Sequence, residues 1–349
     1  MRLWRLAALT VLVVGAAGLA VHSLSWKYAG FRTDVFLDIP KGTPARAVAS
    51  ELAEAGAVRY AWQFLLARAL RPRARIQAGE YLFRRPASTW EVLERLEKGD
   101  IFYYQVTVPE GSNLFDIAAA LESQQILPAA EFLEAARDPT LVRDLAPRAP
   151  TLEGYLFPDT YRLSRHTTAG QSCRQMTERF RRAWQELDPG DADPHATVTL
   201  ASLIEKEASL EPERPLVASV YLNRLQLGIP LQCDPTTIYA ALLEDRYRGA
   251  IHRSDLDNKQ RYNTYQHAGL PPGPIANPGR TALKAALRPA QTPYLYFVAR
   301  PDGSGAHVFS KDLAAHQRAV WKYRRGLTQA KQATTAKQLP GPSAASRRR

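Results

Sequence analysis

The sequence predicts an α+β protein with an N-terminal transmembrane helix, a small α/β domain, a larger mixed α+β domain and a disordered basic C-terminal tail. An apolar run near the start, short strand patterns alternating with amphipathic helix patterns, and a polar, Pro/Ser/Ala-rich end support this class. At 349 residues with 45% apolar and 23% charged residues, the chain is ordinary globular material. The predicted boundaries are 1–28, 30–105, 106–326 and 327–349.

The N-terminus is predicted to anchor the chain in the inner membrane as a single pass. Arg2 and Arg5 precede an apolar run from Leu6 to Val21, which continues weakly to Lys27. A stretch of this length can just span a bilayer, and the two arginines predict a cytoplasmic N-terminus with the remainder in the periplasm. The small residues of 18–20 leave a cleaved signal peptide as the alternative.

The net charge of +12 indicates either an anionic partner or the background of an Arg-rich proteome. The predicted anchor argues against nucleic acid as that partner. Two cysteines, Cys173 and Cys233, are too few for a disulfide framework or a cysteine-rich zinc site, and the sequence does not show whether they pair.

Two segments share one pattern of strand, Pro, charge, Gly and hydroxyl residue, at 36–43 and 105–112. They predict a duplicated strand–turn–helix unit, with Thr43 and Ser112 as N-cap candidates. Between them, residues 35–100 read as strand–helix–helix–strand–helix, and the last helix opens with a capping box at Ser88 and stops at Gly99. Later in the chain, 294–299 and 306–309 predict a hairpin, followed by a helix over 313–324.

One helical stretch, 200–207, holds two glutamates that differ in environment. At about 100° per residue, Leu200, Leu203, Ile204 and Glu207 share one face, whereas Glu205 falls among polar neighbours. A carboxyl group that faces a core has a raised pKa, which is the property of a general acid near neutral pH. The pattern therefore predicts Glu207 as a candidate acid and Glu205 as its solvated neighbour, with a solvent-exposed helix end as the alternative.

Other chemistries find little support in the sequence. No phosphate-binding glycine loop and no metalloprotease or serine-hydrolase motif is present, and the seven histidines lack metal-ligand spacing apart from the weak candidates His307 and His316. We predict no metal and no cofactor. The remaining polar and aromatic residues suit a sugar, and a second carboxylate of the kind that ordinary glycosidases need has three candidates. The polar and aromatic set is Gln232, Asn223, Asn263, Tyr262 and Tyr265; the carboxylates are Asp234, Asp159 and Glu153.

Several motifs resemble the endolytic murein transglycosylase (YceG-like) family. They occur in the family's order across about residues 30–325. Cys233 stands where family members often carry Thr. The motifs are LASLIEKE at 200–207, VASVYLNR at 217–224, EGYLFPDT at 153–160, LQCDPT at 231–236, YNTY at 262–265, GLPPG at 269–273 and TPYLYFV at 292–298.

This resemblance implies a membrane-anchored enzyme with a LysM-like small domain at 30–105 and a catalytic domain at 106–326. Such an enzyme cuts MurNAc–GlcNAc bonds inside nascent peptidoglycan strands and leaves 1,6-anhydro-MurNAc ends. One Glu, matching Glu207, serves as acid and base without a cofactor. The implied partners are glycan strands and, as an expectation, peptidoglycan synthases, and the alternatives are a hydrolytic muramidase and a non-catalytic peptidoglycan-binding scaffold. The expected substrate-binding residues are Gln232, Asp234, Tyr262, Asn263 and Glu153.

Overall fold

A computed structural model describes residues 2–338, and the chain divides into two compact units. The first comprises Met1–Val106 and Tyr161–Thr167, and the second comprises Thr107–Thr160 and Thr168–Arg349. The predicted domain boundaries and the LysM-like character of the small domain stay predictions.

The first unit confirms the strand–helix–helix–strand–helix order. Strands β1 and β2 pair antiparallel, with Val35 opposite Phe83 and Ile39 opposite Gly79. Strands β3 and β4 form a second two-stranded sheet, and the unit boundaries fall within them. The elements are α1 (Arg2–Ser23), β1 (Val35–Ile39), α2 (Ala45–Glu54), α3 (Ala61–Leu70), β2 (Gly79–Phe83), α4 (Thr89–Lys98), β3 (Tyr104–Thr107) and β4 (Thr160–Leu163).

Local capping explains the helix ends, although two predicted caps are wrong by one residue. Ser88 and Glu91 form the predicted capping box, and Gly99 ends α4 in the left-handed conformation at φ 66°. Helix α2 instead begins after Pro44, because the Thr43 hydroxyl donates to the Pro40 carbonyl at 2.8 Å and caps nothing. In the second unit, Asn113 caps the helix Leu114–Ser123 in place of Ser112.

The predicted membrane anchor is wrong. Within the described part of the chain, no helix combines the length and apolar character needed to cross a bilayer. Helix α1 covers Arg2–Ser23, but the arginines at its start and His22 at its end leave an apolar part shorter than the ~20 residues that a span requires. The single-pass inner-membrane location with a periplasmic body, which depended on that anchor, is corrected with it.

The second unit is mainly helical and carries one hairpin. Helix α8 packs against α9 and α12, and α6 packs against α5 and α7. Strands β5 and β6 pair antiparallel, which confirms the predicted hairpin. The elements are α5 (Leu114–Ser123), α6 (Ala129–Arg137), α7 (Ala169–Glu186), α8 (Pro194–Glu207), α9 (Arg214–Gln226), α10 (Asp234–Leu243), α11 (Arg253–Leu256), α12 (Arg280–Leu287), β5 (Tyr296–Ala299), β6 (His307–Ser310) and α13 (Leu313–Gln338).

The disordered tail predicted from residue 327 is also corrected. Helix α13 continues to Gln338 rather than ending near residue 324. Residues 327–338 are rich in Ala, Gln and Lys, which are good helix formers, so they extend the helix despite their polar composition. Residues 339–349 lie outside the described part of the chain.

Candidate active site

Helix α8 carries Glu207 as its last residue. The Asp193 carboxylate fixes the start of the helix by accepting hydrogen bonds from the backbone N–H groups of His195 (2.9 Å) and Ala196 (3.3 Å). Leu200, Leu203 and Ile204 are buried on the face that the helical period also assigns to Glu207. Glu207 itself keeps partial solvent access, because the helix ends there at the wall of a cavity.

The environment of Glu207 keeps its carboxyl protonated at higher pH than that of a free glutamate. Burial raises its pKa most, and the nearby Asp234 carboxylate raises it further. Hydrogen bonding from Cys233, the charge of His307 and the hydroxyl of Tyr221 act in the opposite direction. The net rise is the condition that a carboxylic general acid requires.

Cys233 is the direct hydrogen-bond partner of that carboxyl. Its thiol donates to Glu207 Oε1 at 3.3 Å, and the side chain is almost fully buried. Burial raises the thiol's pKa well above the usual value, so the group stays protonated and acts as a donor. The Cys233 backbone N–H donates to Thr264 Oγ1 at 3.0 Å, which fixes the segment beside Glu207. Both cysteines are free.

The cavity beside Glu207 has a volume of about 270 Å³. It receives side chains from α8, α9, β5, α13 and the segment that leads into α10. Arg224 donates hydrogen bonds to the carbonyls of Leu295, Pro230 and Leu231, so its guanidinium group holds the cavity wall together. The lining is Glu207, Val220, Tyr221, Arg224, Leu231, Gln232, Asp234, Tyr265, Phe297 and His316.

Tyr221 is a site residue that local sequence patterns do not reveal, although it lies within the 217–224 motif. Its side chain is 1% exposed, and its hydroxyl has no hydrogen-bond partner among the described residues. The hydroxyl nevertheless lies close enough to lower the pKa of Glu207. A buried hydroxyl this close to the acid can donate a hydrogen bond to the Glu207 carboxylate.

A histidine–glutamate pair stands behind the cavity wall. The ring Nδ1 of His307 lies 2.7 Å from Glu213 Oε2, and the His307 backbone N–H also donates to this carboxylate. The ring of Phe297, which lines the cavity, packs edge-to-face against His307 at 5.4 Å and against Tyr221 at 5.9 Å. The separation of 94 residues between Glu213 and His307 hides the pair from any local pattern.

The structure brings together three of the six residues predicted for the site. Gln232 and Asp234 line the same cavity as Glu207. Gln232 adopts a left-handed conformation at φ 51°, and Asp234 accepts a hydrogen bond from the Tyr265 hydroxyl at 2.5 Å. The Tyr265 hydroxyl therefore holds the Asp234 carboxylate in the cavity wall beside Glu207.

The other three predicted residues lie outside the lining of that cavity. Asn263 is fully buried, and its amide donates to the carbonyls of Asp255, Leu256 and Asn258. Tyr262 is 8% exposed and packs on Tyr239, with ring centroids 5.0 Å apart. These contacts organise the loop, and a role of either residue in binding substrate stays a prediction.

Glu153 is 1% exposed and joins distant segments. Its carboxyl accepts hydrogen bonds from the Leu114 backbone N–H and the Asn277 amide, both at 3.0 Å. Burial, opposed by these bonds, raises its pKa from 4.5 to about 8. Its predicted role in binding substrate stays untested, and the visible contacts are those of an internal brace.

Substituting Glu153 with Gln should change how stability depends on pH. Because the pKa of Glu153 is higher in the folded state than in the unfolded state, the contribution of Glu153 to the free energy of unfolding is largest below about pH 4.5. That contribution is lost as the pH rises toward 8. Gln does not ionise, so Glu153→Gln should remove this pH dependence. Because both carboxyl oxygens of Glu153 accept hydrogen bonds, the NH2 group of Gln faces one of the two donors, and the variant should unfold at lower denaturant than the wild type at pH 4.5. Urea melts from pH 4.5 to 8 measure it, with the exposed Glu131→Gln as the control. An identical pH profile in wild type and Glu153→Gln would contradict the burial argument.

The prediction that Glu205 is a solvated neighbour of Glu207 is wrong. Its side chain is only 5% exposed and pairs with Arg214, 10% exposed, at 2.7 Å. The Gly279 backbone N–H also donates to Glu205 Oε2 at 2.9 Å. The helical period assigned Glu205 correctly to the face away from the apolar stripe, but α9 and the start of α12 cover that face.

No group of three or more His, Cys, Asp or Glu side chains is arranged to hold a metal ion within residues 2–338. His316 lines the cavity and stacks on Tyr296 at 5.0 Å, and burial lowers its pKa. The cavity offers Glu207, its thiol donor Cys233 and the polar side chains around them.

Comparison with known proteins places these features in a family. The sequence profile of the YceG-like family matches residues 37–322. A Bacillus subtilis protein named endolytic murein transglycosylase is 33% identical over 312 residues, covering 84% of this chain and 85% of that protein. A Streptococcus pneumoniae protein of the same name is 28% identical and covers 76% of this chain and 54% of that protein. A crystal structure of a YceG-like protein from Listeria monocytogenes aligns with a TM-score of 0.54 and 29% identity, covering 82% of this chain and 99% of that one.

Proposed function

The chain belongs to the YceG-like family, and we propose that it is an endolytic lytic transglycosylase of peptidoglycan. It cleaves MurNAc–GlcNAc bonds within nascent glycan strands, leaves 1,6-anhydro-MurNAc ends and thereby terminates strand elongation. The family match confirms the resemblance that the sequence motifs carried. Relatives named endolytic murein transglycosylase support the reaction class.

One observation carries the proposal: Glu207 is a largely buried carboxyl with a raised pKa at the wall of a polar cavity. A protonated carboxyl can give its proton to the glycosidic oxygen, which a carboxylate cannot. The Cys233 thiol then stabilises the carboxylate that this transfer leaves behind, because it donates a hydrogen bond to Oε1 of that group.

The proposed reaction needs no water. Glu207 gives its proton to the glycosidic oxygen as the bond between that oxygen and C1 of MurNAc breaks, and the bonding electrons leave with the oxygen. The muramyl 6-hydroxyl forms a new bond to C1, and its proton passes to Glu207. The acid is thereby regenerated, and the product carries an internal 1,6-anhydro bridge. The substrate's N-acetyl group is expected to assist at C1.

Gln232 and Asp234 are proposed to bind the substrate, since both line the cavity beside the acid. An amide and a carboxylate are suited to sugar hydroxyl and acetamido groups. Tyr262, Asn263 and Glu153 are retained as predicted contributors, acting through the loop and the internal brace described above.

A hydrolytic muramidase is the second candidate, and Asp234 is the observation that favours it. This carboxylate shares the cavity with Glu207 and could serve as the second carboxylate of an ordinary glycosidase. Mass spectrometry of digested glycan strands separates the two. Anhydro ends, lighter by one water than reducing ends, support the lytic reaction, whereas reducing ends support hydrolysis. A scaffold would bind strands and leave their length unchanged.

The Cys233 hydrogen bond predicts two opposite shifts of the pH–rate profile. Cys233→Ala removes a donor to the carboxylate, so the pKa of Glu207 should rise and the alkaline limb of kcat should move to higher pH. Cys233→Ser supplies a stronger donor, so the limb should move to lower pH. Steady-state cleavage between pH 5 and 9 measures both variants. Shifts in the same direction, or none, would remove the thiol from the mechanism.

Peptidoglycan synthases remain proposed partners. An enzyme that cuts nascent strands has to act where those strands are made, which motivates the proposal. Co-purification of tagged chain with synthases, compared for wild type and Glu207→Gln, would test the association separately from cleavage.

A further inference from the structure

A second cavity lies in the first unit, and every charged side chain that lines it is an arginine. Its volume is about 720 Å³, and Arg68, Arg73 and Arg75 contribute to the wall together with the turn at Gly42 and Thr43. No Asp or Glu belongs to the lining. Three guanidinium groups without an acid among them give this wall a positive potential that attracts an anion.

Arg68 supplies the most specific signal. Its Nε is buried and has no hydrogen-bond partner among the described residues. A buried guanidinium N–H without an acceptor destabilises the folded state. A ligand that brings an acceptor oxygen to this atom would remove that cost. Arg71 of the same loop shows the contrast, since it pairs with Glu97 at 3.7 Å and lies over the Trp90 ring at 5.0 Å.

The start of helix α2 adds partial positive charge to the same wall. Ala45, its first residue, lines the cavity, and Pro44 provides no side-chain cap. The first N–H groups of an uncapped helix are therefore available to an anion. The Thr43 hydroxyl does not compete for them, because it donates to the Pro40 carbonyl.

We propose that this cavity binds a phosphate group, as a diphosphate or a phosphate monoester. The positive charge of three arginines and a helix N-terminus is larger than the single negative charge of a carboxylate. Phosphate and diphosphate match it better, because they carry two or more negative charges and several acceptor oxygens. A guanidinium binds such a group through two parallel hydrogen bonds. The cavity volume also leaves room for an organic part beyond the phosphate.

Isothermal titration calorimetry of the full chain with inorganic diphosphate and with glycerol phosphate tests the proposal. Binding of one or both is expected, and the tighter ligand tells free diphosphate from an ester. Arg68→Gln should weaken binding about tenfold or more, because it removes a charge-assisted hydrogen bond to the phosphate group. Arg68→Lys should fail to restore binding, since lysine lacks the planar fork. Arg59→Gln, an exposed arginine outside the cavity, is the control for general charge.

Because Arg68 is partly buried, its variants are checked by thermal melting. If Arg68→Gln fails to fold, the pair Arg73→Gln and Arg75→Gln on the exposed loop provides the same test. No binding of either ligand, or equal weakening by Arg59→Gln, would overturn the proposal. Strand cleavage is not the readout, so failure here is separate from failure of the proposed function.

Discussion

Glu207→Gln is expected to abolish strand cleavage while leaving the fold unchanged. A glutamine cannot give a proton to the glycosidic oxygen, and general acid–base catalysis contributes about a hundred- to ten-thousand-fold to rate. The loss should appear in kcat rather than in KM, because the amide retains the shape of the side chain. Muropeptide release from purified glycan strands measures it.

The matched control for this variant is Glu178→Gln. Glu178 is an exposed glutamate of α7, so it undergoes the same chemical change away from the cavity. Its activity should equal that of the wild type, and thermal melts should be alike for all three proteins. Cleavage by Glu207→Gln at more than a few per cent of the wild-type rate would remove Glu207 from the role of acid and base.

The second large effect is expected from breaking the buried pair of Glu205 and Arg214. Arg214→Leu leaves the Glu205 carboxyl without its main cationic partner, and removing one member of a buried pair costs about 3–5 kcal/mol in the free energy of unfolding. The double variant Glu205→Leu with Arg214→Leu should recover much of that loss, because no buried charge then remains unpaired. Urea unfolding of the wild type, of Arg214→Leu and of the double variant gives the comparison.

An exposed ion pair of the same unit serves as the reference for this cycle. Arg253 and Asp257 lie 3.1 Å apart with side chains 85% and 57% exposed, so Arg253→Leu should change stability by less than about 0.5 kcal/mol. A loss for Arg214→Leu as small as that for Arg253→Leu would show that Glu205 and Arg214 do not form a buried pair in solution. Arg214 also donates to the Ala208 carbonyl at 3.3 Å, so its loss should loosen the end of α8 that carries Glu207.

Periodicity and local rules predict the parts of this fold that depend on neighbours in sequence. The spacing of Leu200, Leu203 and Ile204 places Glu207 beside an apolar stripe, and the structure has it largely buried there. The capping box at Ser88 and the hairpin of β5 and β6 follow from residues within a few positions of one another. Composition alone gave a wrong prediction of disorder from residue 327, because helix-forming residues extend α13 to Gln338.

Features that depend on distant segments could not be read from the sequence. Glu205 faces away from its own helix's apolar stripe, but Arg214 and the Gly279 N–H cover it from other elements. Tyr221 lies in a motif that indicates the family without indicating the role of each residue, and its buried hydroxyl comes close to Glu207 only because α8 and α9 pack together. Asn263 has the side chain of a sugar ligand but spends its amide on three carbonyls of its own loop.

Digestion of glycan strands in water enriched in heavy oxygen tests the central claim most directly. If Glu207 alone drives an internal attack by the muramyl 6-hydroxyl, mass spectrometry will find anhydro ends without the label, and Glu207→Gln will give no new ends. New reducing ends that carry the heavy oxygen, in excess of those in a sample incubated without enzyme, would show that water attacks C1, and the lytic mechanism would then be wrong.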